Sequence, residues 1–201
     1  MNSTEERRAC DGVEQMTRRE SVNGMHTSQE PLLTSGAERD LAVEHWLLSA
    51  TADNDRARAE WKESGVALLR CGTLFGAVRT SGVVVRAAAG TDRPREVDAY
   101  LAQVLAGPVF SDRVIDCYYV LVPPSAGTRE AWAATHEDAE YLGRGHYLGV
   151  PKVTAKTPQQ GRSYWCAPMD SAGVLASPEA VSQFLAFGRY QMACDATYAI
   201  E

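Results

Sequence analysis

The sequence predicts a single α+β domain: a central mixed or antiparallel sheet with helices on its faces, preceded by a disordered N-terminal tail. Three observations lead to this class. Two runs rich in β-branched and aromatic residues, 117–124 and 141–151, end in proline and read as buried strands that stop where the backbone N–H is lost. Amphipathic stretches with helix caps alternate imperfectly with the strand candidates, which fits an α+β sheet better than a strictly doubly wound one. At 201 residues the chain has the length of one ordinary domain with room for a tail. We therefore divide it into a tail over 1–39, a domain over 40–190 and a C-terminal tail over 191–201.

Residues 1–39 are polar and charged, with arginine pairs at Arg7-Arg8 and Arg18-Arg19. Such a segment buries too little apolar surface to offset its ordering entropy, so it reads as a solvated tail able to touch an acidic protein partner. From Asp40 the pattern turns periodic, and Leu41, Val43, Trp46, Leu47 and Leu48 predict a short helix. Asp53-Asn54-Asp55 resembles a metal-holding D-x-D pair, but it precedes a charged helical stretch and reads as that helix's cap, with the stop near Gly65. Residues 66–71 and 74–79 are compact apolar runs around Gly72 and predict a hairpin or bent pair. Residues 83–89 tip towards a helix ending at Gly90. Apolar positions Val97, Tyr100, Leu101, Val104 and Leu105 predict an amphipathic helix stopped by Gly107-Pro108.

The tyrosine-led strand over 117–122 follows, then a connector around Trp132 and the turn Gly143-Arg144-Gly145-His146. Residues 163–167 predict a last strand. Ser177-Pro178-Glu179 then supplies a cap, a first-turn proline and an acidic first turn for a helix carrying Val181, Phe184, Leu185 and Phe187, with Gly188 behind it.

The formal charge of −6 argues against a broad cationic surface, while leaving room for a local basic groove. The five cysteines are scattered, with no C-x-x-C pair to suggest zinc. Cys71, Cys117 and Cys166 lie in or beside apolar runs and read as small buried hydrophobes of a reducing compartment. No run approaches the ~20 apolar residues of a membrane helix, and charges stand where an export signal needs its apolar core. The expectation is a cytoplasmic protein with no membrane association. Glycine-rich backbone carries ligand-capable side chains at one place, Arg144 and His146, which can donate to phosphate; a solvated turn is the alternative. Arg70 and Arg79, at the ends of the first strand pair, add to a candidate phosphate groove. Trp132, Trp165 and the tyrosines read as core packing rather than a base-stacking platform. No P-loop, nucleophile elbow, zincin motif or dinucleotide fingerprint occurs.

The run from Gly65 to Gly72, Gly107-Pro108-Val109, the run from Tyr118 to Pro124, Leu142-Gly143-Arg144-Gly145 with the run from Tyr147 to Pro151, Tyr164-Trp165 and Pro168-Met169-Asp170 together span roughly two thirds of the chain. In these residues it resembles a group of short actinobacterial proteins related to the N-terminal domain of bifunctional DNA primase/polymerases. The resemblance implies a fold that holds two metals on a carboxylate pair and the incoming phosphate on a histidine. Only the histidine element has a match here, Gly143-Arg144-Gly145-His146-Tyr147. No D-x-D lies on a strand, and Asp112 and Asp116, on an extended chain, would stand ~13 Å apart, too far to share a metal. The resemblance therefore implies a catalytically degenerate, nucleotide- or DNA-associated accessory protein with no catalytic or metal-binding residues. Magnesium or manganese enters only if nucleotidyl transfer survives. The reading from another class is a regulatory protein-interaction module with no ligand.

Overall fold

The computed structural model describes residues 35–128 and 138–198. Within them the chain is α+β, with five helices and two antiparallel sheets. The larger sheet has the order β5-β2-β4-β3-β7, formed by β2 (Gly76–Ser81), β3 (Val109–Asp112), β4 (Cys117–Val122), β5 (Ala139–Leu142) and β7 (Ser163–Ala167). The tyrosine-led run is its central strand. Alternation splits the sheet into two buried faces. Val78, Tyr118, Val120, Val109 and Tyr164 pack with helices α3 (Gly82–Ala89), α4 (Pro94–Leu105) and α5 (Pro178–Tyr198). Ala77, Tyr119, Leu121, Phe110 and Trp165 share the other core with α1 (Gly36–Leu48), α2 (Asn54–Glu63) and the smaller sheet, β1 (Val66–Arg70) against β6 (Tyr147–Pro151). On that second face Phe110 stacks on Tyr119 at 4.9 Å and meets Trp165 edge-on at 5.3 Å.

Several helix boundaries follow from local chemistry. Asp53 caps α2 by accepting from the Arg56 amide at 2.9 Å, as its spacing predicts. Ser81 caps α3 and left-handed Gly90 ends it. Pro94 starts α4, and Ala106 ends it in a left-handed conformation. The outer edge of β1 is covered rather than open: the Leu68 amide donates to the Glu60 carboxylate at 2.9 Å and the Arg70 amide to the Ala50 carbonyl at 3.1 Å.

The structure corrects five sequence expectations. First, α1 begins at Gly36, inside the expected tail, because Ser35 and Glu38 form a reciprocal capping box. Second, β1 and β2 are not a hairpin; Gly72 and Phe75 turn the chain out of the small sheet into the large one. Third, the run over 141–151 is not one strand. It holds the end of β5, a turn, and β6 in the other sheet. Fourth, α5 continues through Gly188 to Tyr198, so most of the expected C-terminal tail is helical. Gly188 is a contact point: a Cβ there would lie 2.7 Å from the Val84 carbonyl oxygen, and only glycine lets α5 approach α3 this closely. Fifth, Asp112 and Asp116 are not on one extended segment, since residues 113–116 form a turn. The rest of the expected tail, residues 1–34, and the connector around Trp132 lie outside the described residues. Among the described residues no helix is long and apolar enough to cross a membrane.

Candidate functional site

Three of the four residues singled out from the sequence converge at one end of the small sheet. The β1–β6 ladder places Arg70 opposite Tyr147. Past it, the Cys71 amide donates to the His146 carbonyl at 3.0 Å, and the His146 amide donates to the Gly143 carbonyl at 3.1 Å, closing the turn. Gly145 takes φ +94° in that turn. Gly72 has φ +90°, and a Cβ built on it would stand 2.4 Å from the Arg144 amide nitrogen. The segment 70–72 therefore lies directly along 144–147, an approach that requires glycine twice over. The side chains of Arg70, Arg144 and His146 are exposed, and none of them forms an ion pair with a described residue. When its ring carries both protons, His146 donates through Nδ1 to the Gly143 carbonyl at 3.3 Å and keeps Nε2–H for an outer acceptor; in the neutral tautomer with the proton on Nδ1, Nε2 only accepts.

Arg70 also lines a groove of about 620 Å³ between the α1–α2 turn and β1, with Thr51, Arg56, Leu68, Thr73 and Tyr147. Arg56 is neutralised there by Glu60 at 2.9 Å. The Leu68 amide first, and Arg56 second, hold the Glu60 carboxyl below the usual range. Asp53 occupies the N-terminus of α2, so Arg70 supplies the uncommitted charge. Tyr147 is 65 % exposed, contrary to the expectation that the tyrosines only fill the core. Alternation along β6 turns Leu148 and Val150 inward and Tyr147 out, and that pattern was available in the sequence.

Arg79 does not join the site. Its register on β2 puts it opposite Glu140, and the two pair at 2.9 Å, about 10 Å along β5 from the Gly143 turn. The other acids beside the central strand are committed as well. Asp112 pairs with Arg162 at 2.6 Å, and Asp116 takes Arg86 through both oxygens at 2.8 and 2.9 Å. The hydrogen bonds from Arg86 push the Asp116 carboxyl below its usual range. Asp112 and Glu140 lie on strands three spacings apart in the sheet, ~14 Å. Among the described residues no three His, Cys, Asp or Glu side chains are grouped to hold a metal ion. The four described cysteines, Cys71, Cys117, Cys166 and Cys194, are free; burial raises the Cys71 thiol to about 11 and pushes Cys166 up as well, so neither of these two is a poised nucleophile. No family model, curated protein or solved structure matches the chain.

Proposed function

We propose that the chain is a nucleotide-binding accessory domain of primase/polymerase-like type, which recognises phosphate without transferring it. The observation that carries this reading is the gathering of Arg70, Arg144 and His146 at one end of the small sheet, without carboxylate partners among the described residues, in a protein of charge −6. Uncommitted guanidinium groups suit phosphate through charge-assisted, bidentate hydrogen bonds. The adjacent Tyr147 ring offers a face on which a base stacks, worth ~1–3 kcal/mol. The resemblance to primase/polymerase domains supplies the ligand class. The commitment of Asp112, Asp116 and Glu140 to separate arginines supports a non-catalytic role.

The test is a thermal-shift titration of wild type and Arg70→Ala/Arg144→Ala with nucleoside triphosphates, with and without magnesium or manganese. A ligand bound only by the folded state stabilises by RT ln(1 + [L]/Kd), ~2.7 kcal/mol at a hundredfold excess over Kd. At ~2–4 °C per kcal/mol for a chain of this size, the midpoint rises by several degrees and the double variant loses the rise. Metal-dependent primer extension would replace this reading with a working nucleotidyltransferase. No shift at millimolar nucleotide would sink it in favour of a protein partner.

A further inference from the structure

A second groove, at the opposite end of β1 from Arg70, has a different charge pattern. It has a volume of about 470 Å³ and runs between the end of α2 and the segment joining β6 to β7. Its lining includes Lys62, Lys152, Thr154, Arg162 and Ser163 and, among the described residues, no carboxylate; Arg162 and Ser163 also border an adjoining groove that holds Glu60 and Asp112. The walls are fixed by backbone and indole contacts. The Lys152 amide donates to the Gly65 carbonyl at 2.9 Å, the Trp165 amide to the Ala155 carbonyl at 2.8 Å, and Trp61 Nε1 to the Val150 carbonyl at 2.9 Å. Lys62 and Lys152 are exposed and pair with no described residue. Arg162 gives Nη2 to Asp112, whose other oxygen is taken by the Val114 amide, so among the described residues the remaining guanidinium N–H groups stay uncommitted. Ser163 is only 5 % exposed, yet its Oγ has no hydrogen-bond partner among the described residues. Buried hydroxyls are almost always bonded, and this residue belongs to the lining of a cationic groove.

We infer that this groove binds a phosphoryl oxyanion, held by Lys62, Lys152 and Arg162, with Ser163 Oγ–H donating to one of its oxygens. The lining brings the three cations to one groove, and Thr154 adds a hydroxyl. The inference stands apart from the nucleotide reading, because the groove shares no lining residue with the one that Arg70 lines.

The experiment is calorimetric and thermal-shift titration of the full chain with inorganic phosphate and pyrophosphate, at ionic strength matched with chloride. The variants are Lys62→Gln/Lys152→Gln, which keeps the stems of two exposed side chains, Ser163→Ala, and Arg70→Ala/Arg144→Ala. Expected are a saturable component in wild type that weakens at least tenfold in the lysine double variant and persists at unchanged affinity in the arginine double variant, whose own phosphate site is removed. Ser163→Ala weakens binding severalfold while leaving the unliganded melting temperature level or higher, which a structural serine would not do. The absence of saturation beyond the chloride control, or full affinity in the lysine double variant, overturns the inference. A nucleoside triphosphate shift that survives Arg70→Ala/Arg144→Ala and falls in the lysine variant would refute the first site and support this one.

Discussion

Gly72 carries two separable demands, and a three-variant series measures each. Gly65 has φ +75° with open space around its missing Cβ, so Gly65→Ala reports the left-handed backbone alone, ~1–2 kcal/mol. Gly107 has an ordinary φ, but a Cβ there would lie 2.4 Å from the Ala176 Cα, so Gly107→Ala reports overpacking alone, ~1–3 kcal/mol. Gly72 combines φ +90° with a Cβ position 2.4 Å from the Arg144 amide nitrogen and 2.5 Å from its Cα. The collision is with backbone, so no side chain can swing away. Gly72→Ala should therefore lose about 2–5 kcal/mol, the sum of the two effects. Urea denaturation followed by tryptophan fluorescence gives the three values, with the midpoint falling at constant slope. The same variant displaces the Arg144 turn and weakens the nucleotide response, whereas Gly107→Ala, on the opposite side of the large sheet, leaves that response intact. A Gly72→Ala loss no larger than that of Gly65→Ala would refute the reasoning, since the turn would then accommodate a Cβ and Gly72 would not fix Arg144.

Two further outcomes follow from the cores. Burial raises the Asp98 carboxyl against the opposing hydrogen bonds from Cys166 and Tyr164, the latter at 3.1 Å. The folded state thus binds the proton more tightly than the unfolded one, and this group's contribution to stability falls as pH rises from the ordinary aspartate range through the raised value. Asp98→Asn removes that fall, so its melting temperature relative to wild type should be more favourable at pH 7 than at pH 4; an equal difference at both would contradict the assignment. Trp61→Phe removes the 2.9 Å bond to the buried Val150 carbonyl that ties α2 to β6, and should cost about 1–3 kcal/mol in denaturant unfolding. A loss of only a few tenths would mean that the carbonyl finds another donor.

The parts of the fold legible in the sequence are those whose causes are local. Asp53 and Ser177 mark helix starts because a cap bonds an amide three residues away, and β4 and β7 are legible because both their faces are apolar. The Ser35–Glu38 capping box is equally local, and it starts α1 inside the expected tail. Arg144 and His146 stood out for a local reason too, as ligand-capable side chains among turn glycines. Tertiary structure alone decided which strands pair: β1 lies next to β2 in the chain yet joins β6, because Gly72 redirects the backbone and the apolar faces of both sheets share one core. That pairing brings Arg70 to Arg144, while strand register consigns Arg79 to Glu140. The groove of Lys62, Lys152 and Arg162 draws on residues up to a hundred positions apart, and no sequence pattern encodes it, since charge acts through space and is blind to chain distance.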